Sequence, residues 1–288
     1  MVSLLNENIG VSTFISSKME EFETMHKLHP KREKALLYGS LIMYICKESF
    51  RVFKIIGNLD IKNHLTIMEN FDITTSQDAI DRLDRLVAAK DRSNVAQEIY
   101  QYFIVESNPV PLDFSNLVTP GLEKTLAGCL SSTIHTTKSY LEKKPQKTKV
   151  EEETVWKFFA QKYMIEKIHD SLDSYNKNLD IFPKAGIFTK EELRSVTNFS
   201  ALDLGRVVYM AKIGTHIGYI EEETAWHYIE TAAKKISETY SSWNELYKSY
   251  VMGRALGLSV PATDLINGVD FLLNHEKSPV KDLSFKYE

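Results

Sequence analysis

Asp203-Leu204-Gly205-Arg206 and Gly253-Arg254 frame the stretch that decides the fold. Between them Trp226, Ile229, Ala233, Ile236 and Tyr240 recur in a 3,4,3,4 rhythm, and Trp243, Tyr247, Tyr250 and Arg254 in a 4,3,4 rhythm. Both rhythms follow the period of an α-helix, so each set lines one buried face. The stretch predicts three helices. The first is capped by Ser200 or Asn198 and ends near Gly218, the second covers Glu221–Tyr240, and the third covers Trp243–Leu256. Asp203 and Arg206 are three residues apart and share a face. Arg254 continues an aromatic stripe, where its stem packs and its head must find an acid or carbonyls.

A guanidinium on the inner side of a helix must satisfy five donors, so these residues are the place to look for a site. Two readings stay open. In one, Asp203 pairs with Arg254 across helices, tyrosines satisfy the remaining donors, and the network fixes helix register. In the other, Arg206 and Arg254 converge on an anionic ligand, with Asp203 and Tyr250 completing the site. Trp226 and Trp243 flank either arrangement. His216, near the end of the first helix, is a further candidate contact, and as a cation it also suits a helix C-terminus.

The rest of the chain reads as helices in the same way. Asn6–Leu28 is amphipathic. From Pro30 to about Ile56 a second helix is expected, apolar almost all round, which suits a core element or a dimer interface. Thr75 or Ser76 caps Gln77–Lys90, whose buried stripe is Ile80, Leu83, Leu86 and Val87, and Asp91 breaks it. Asn94–Val105 is another helix, Glu106–Thr119 a linker, and Gly121–Glu142 a helix. The lysine-rich run Lys138–Lys149 reads as a solvated loop or a small anion patch. Glu151–Asn176 follows, then Lys190–Val196 capped by Thr189, and last Ala262–Asn274. The expected fold is therefore all-α, about ten helices with an N-terminal helical extension. The extension covers 1–58, the main helical domain 59–275 and a loosely ordered tail 276–288.

Composition removes whole classes of function. A net charge of −4 over 288 residues sets up no field that draws nucleic acid or an anionic membrane. The most apolar run, Ala35–Cys46, is too short to span a bilayer. No leader pattern opens the chain, so a cytoplasmic location is expected, and the Asn198-Phe199-Ser200 sequon is discounted with it. Cys46 and Cys129 read as buried, reduced thiols, with a structural disulfide as the alternative. No P-loop, dinucleotide loop, nucleophile elbow or metal motif is present, so neither cofactor nor metal is expected. His169 with Asp170 and Asp173 reads as a solvent-facing helix end, with a metal or general-base pair as the alternative, and Glu221-Glu222-Glu223 as complement to a helix dipole.

The runs Leu202–Arg206, Gly218–Glu223, Ala225-Trp226, Ser242-Trp243, Tyr250 and Gly253-Arg254 resemble the bacterial domain-of-unknown-function family 1266. Phe71-Asp72-Ile73, Ser76, Ala79, Leu83 and Leu86 are similar to that family's upstream element. The resemblance spans about 71–257 and is most specific over 199–257; Glu221 departs from it, where a Ser, Thr or Asp cap is usual. It implies one helical domain found in bacteria, associated with secretion, chaperone-like or interbacterial-conflict genes. The functional expectation is a non-catalytic protein-interaction module of the bacterial cytoplasm, an immunity or accessory factor whose partner is another protein, a toxin or a secretion component. A homo-oligomer is an open alternative. The other readings are a small-molecule or nucleotide-anion binding domain or enzyme using Arg206 and Arg254, and a secreted effector toxin.

Overall fold

Every residue from Ala201 to Gly214 is buried, including Asp203, Arg206 and Lys212. A helix buried on all sides must be surrounded, and this one is the axis on which the other elements pack. The computed structural model describes residues 24–55, 61–69, 71–107 and 149–288. Its helices are α1 (Pro30–Leu37), α2 (Ser40–Ile45), α3 (Ile61–Glu69), α4 (Ser76–Val87), α5 (Arg92–Ile99), α6 (Lys149–Lys184), α7 (Lys190–Arg194), α8 (Ala201–His216), α9 (Glu222–Thr239), α10 (Trp243–Leu258) and α11 (Ile266–Asn274). A π-helical turn, Tyr100–Val105, continues α5, and a 3-10 turn, Thr263–Leu265, precedes α11. No strand occurs among the described residues, so the fold is all-α. Helix α8 packs against α9, α4, α10, α2 and α5, while α10 packs against α5, α6 and α8. None of the helices is long and apolar enough to cross a membrane among the described residues.

Local chemistry explains the ends. Thr75 and Asp78 form a reciprocal capping box on α4, and Thr189 and Glu192 form another on α7. Ser242 caps α10 by accepting from the Glu245 amide at 3.2 Å. Helix α8 is entered through Asn198, whose Oδ1 accepts from the Ser200 amide at 2.9 Å.

Four expectations need correction. The single helix from Pro30 to Ile56 is two short helices followed by irregular chain. Lys47 takes a left-handed φ of 55°, and the Glu48 amide returns to the Met43 carbonyl at 2.9 Å, which ends α2. Beyond it the Lys212 ammonium donates to the Ser49 and Val52 carbonyls at 2.8 and 3.0 Å, holding those carbonyls out of any helical ladder. Cys46, at the C-cap of α2, is a free and half-buried thiol. Second, α6 runs to Lys184 instead of ending at Asn176. Asn178, a poor helix former, is placed there by its bonds to the Val251 carbonyl and the Ala262 amide, both at 2.9 Å.

Third, the terminal helix starts at Ile266, after a 3-10 turn. Fourth, the tail is seated. The Trp243 indole donates to the Leu283 carbonyl at 3.0 Å, Tyr38 donates to the Phe285 carbonyl, and the Tyr287 amide donates to Ser237 at 2.8 Å. Phe285 and Val280 are buried. The expected helices Asn6–Leu28 and Gly121–Glu142, the linker Glu106–Thr119, Cys129 and the lysine-rich run lie wholly or mostly outside the described residues.

Candidate functional site

Asp203 sits on the third residue of α8 with no exposed surface. Its carboxylate accepts three backbone amides at the start of α5: Asp91 at 3.0 Å, Arg92 at 3.1 Å and Ser93 at 3.0 Å. The first amides of a helix have no partner within it and form an anion site. Here a carboxylate from another helix fills that site. The capping is reciprocal. Ser93 Oγ accepts from the Asp203 amide at 3.1 Å and donates to the Phe199 carbonyl at 2.8 Å, tying the start of α8 to α5.

Asp91 is the N-cap residue of α5, but its side chain makes no capping bond there. Freed by Asp203, it faces two arginines. Its Oδ2 lies 2.7 Å from Arg82 on α4 and 3.0 Å from Arg206 on α8. Arg206 is also 3.6 Å from Asp203. Both guanidiniums lie over the ring of Phe71, at 5.6 Å for Arg82 and 5.5 Å for Arg206. The cluster holds two acids and two arginines, so its formal charge balances. Each of the four side chains is at most 12% exposed. Burial and the neighbouring Asp91 carboxylate push the Asp203 acid up to about 6, against Arg206 and the amides, which favour its charged form. Burial pushes Arg82 down to about 10, opposed by Asp91, and it keeps its charge at neutral pH.

Arg254 goes elsewhere. It forms a two-pronged pair with Asp264 at 2.7 and 3.1 Å, and Asp264 is half exposed. The Asp203–Arg254 pair of the first reading is therefore not formed: Asp203 is taken by the α5 amides and Arg254 by Asp264. Tyr250 is buried, and burial raises its phenol well above the ordinary range while both arginines act to lower it. The two glycines mark the crossing of α8 and α10. A Cβ on Gly205 would lie 3.3 Å from the Tyr250 ring, and one on Gly253 would lie 3.2 Å from Leu202 and from the Phe199 carbonyl. The repeated Gly-Arg thus combines a close helix approach with an arginine that reaches past it.

The remaining candidates separate. Trp226 is buried against Phe53, lies under the Arg32 guanidinium at 4.8 Å, and donates to Glu222 at 3.3 Å. Arg32 in turn takes both oxygens of Glu223 at 2.8 and 3.3 Å, joining α1 to α9. Glu221 makes no capping bond with its side chain. Trp243 stacks on Tyr38 at 4.9 Å under the tail. His216 is exposed and meets the buried His64 edge-on at 5.0 Å. His169, Asp170 and Asp173 are exposed, and no group of three His, Cys, Asp or Glu among the described residues could hold a metal ion.

Asp91, Arg82 and Ser93 are the members that sequence reasoning missed. In the sequence Asp91 reads only as a breaker, with the next helix expected from Asn94. The available signal was Arg82 itself, a charge between Ala79, Leu83 and Leu86 on the buried stripe of α4.

The family model described as "Protein of unknown function (DUF1266)" matches residues 66–285. No curated protein and no solved structure matches the chain. The match takes in the capping cluster, both Gly-Arg pairs and nearly all of the seated tail, and the chain belongs to this family.

Proposed function

We propose that this member of the family is a non-catalytic protein-interaction module of the bacterial cytoplasm, an immunity or accessory factor in an interbacterial-conflict or secretion system. One observation carries the reading: the charged residues that the sequence concentrates in one block are bound to groups of the same chain. Asp203 holds the α5 amides, Asp91 holds Arg82 and Arg206, and Asp264 holds Arg254. A cluster occupied in this way supports a rigid scaffold whose surface meets another protein, more than a pocket whose arginines grip a small anion.

The test is affinity capture of the tagged full chain from its native host, with the neighbouring genes expressed, followed by quantitative mass spectrometry. One protein should co-purify in stoichiometric amount and remain bound through gel filtration. Recovery of the chain alone would overturn the proposal. If expression of the chain without its neighbours stops the growth of a naive bacterial host, the effector-toxin reading replaces it.

A further inference from the structure

Away from the arginine cluster, the loop Ser195–Asn198 and the first turns of α10 enclose an open cleft of ≈ 350 Å³. That volume is at the small end of ligand sites, which run from roughly 300 to 1,000 Å³. Hydroxyl and amide groups dominate the lining, with Glu245 and Lys248 as its charges and Val196 as its apolar side chain.

The floor is fixed in advance. The buried Tyr240 hydroxyl is bonded to Ser249 at 2.8 Å, to Ser200 and the Ala201 amide at 2.9 Å, and to Asn198 at 3.2 Å. Ser249 also donates to the Asn198 carbonyl at 2.7 Å. The amides at the start of α10 are occupied as well. Glu245 Oε2 takes the Ser241 amide and hydroxyl, both at 2.7 Å, and Ser242 takes the Glu245 amide. A bare helix terminus is therefore not what the cleft offers.

What it offers is the capacity left after these bonds. Asn198 uses its oxygen on Ser200 and Tyr240, and its amide nitrogen has no acceptor among the described residues. Lys248 pairs with Glu192 at 3.6 Å, which leaves its other ammonium hydrogens to donate, and its side chain is 15% exposed. Glu245 retains Oε1 as an acceptor, and the Thr197 hydroxyl is exposed. What remains is donors on Asn198 and Lys248, an acceptor on Glu245, and hydroxyls on Thr197, Ser242, Ser195 and Ser241 that keep donor or acceptor capacity. An oxyanion would face Glu245 with Glu192 close by, a cation would face Lys248, and an apolar guest would meet none of this remaining capacity.

Adjacent hydroxyl groups, each donating and accepting, satisfy the whole set without net charge. We propose that this cleft binds a small, uncharged, polyhydroxylated molecule of the saccharide class. The proposal goes beyond the interaction reading and does not depend on it, since sugar binding is measured with no partner protein present.

The test is saturation-transfer NMR and calorimetry on the full chain. The probes are glucose, galactose, N-acetylglucosamine and trehalose, with inorganic phosphate as the charged arm. At least one sugar should bind, and both Lys248→Met and Thr197→Val should weaken it about tenfold while their melting curves match the parent's. The proposal is overturned if none of the four sugars binds, if phosphate binds in their place, or if either correctly folded variant binds sugar as the parent does.

Discussion

Asp203 shows how a single carboxylate can serve two helices. It lies three residues before Arg206, but its main partners are the amides of residues 91–93, more than a hundred positions away in the chain. That arrangement has a pH signature. In the unfolded chain the acid titrates near 3.8, and in the folded chain it titrates at about 6. Between those values the folded state holds a proton that the unfolded state releases. The stability this gives is full below about pH 4 and lost as pH rises through about 6. Two units correspond to about 3 kcal/mol. Asp203→Asn has no such titration. The parent's advantage over this variant, measured by urea unfolding across the range, should therefore shrink by about that amount from pH 4 to pH 7. An advantage that is flat or grows with pH contradicts the assigned environment.

Element by element, the helices with local signals were legible and those shaped by distant groups were not. The capping boxes at Thr75 and Thr189, and the stripes on α9 and α10, are short-range patterns that the backbone follows. The irregular course of the chain at Ser49–Val52 depends on Lys212, and the length of α6 on Asn178, and neither dependence has a local signature. The inward turn of Asp203 and Arg206 was legible from spacing, but their partners came from α4 and α5, which no periodicity connects to α8. Helix contacts carry their own predictions. A Cβ on Gly257 would lie 2.4 Å from the Arg92 carbonyl, while one on Gly205 meets only the edge of a ring at 3.3 Å. Gly257→Ala should cost about 3 kcal/mol in urea unfolding, and Gly205→Ala less than about 1 kcal/mol. The reverse order would contradict the close crossing of α5 and α10. Likewise, removing residues 283–288 takes away Phe285 and the carbonyl that holds Trp243. Stability should fall by about 2–3 kcal/mol, with a red shift in tryptophan emission. A truncated chain as stable as the parent would leave the tail without a structural role.

At the scale of the molecule, the capping cluster joins α4, α5 and α8 through charges that have little access to water. Such a cluster adds little net stability when complete, but breaking it leaves an unpaired buried charge at a cost of about 3–5 kcal/mol. The second Gly-Arg differs in kind, because Arg254 meets a half-exposed acid, where a pair contributes about 1 kcal/mol or less. Two dipeptides alike in sequence therefore carry unequal structural weight. Urea unfolding of Arg206→Gln beside Arg254→Gln, near neutral pH, measures that inequality directly. Arg206→Gln should lose about 3–5 kcal/mol and Arg254→Gln at most about 1 kcal/mol. Equal losses, or an Arg206→Gln chain as stable as the parent, would contradict the unequal weights.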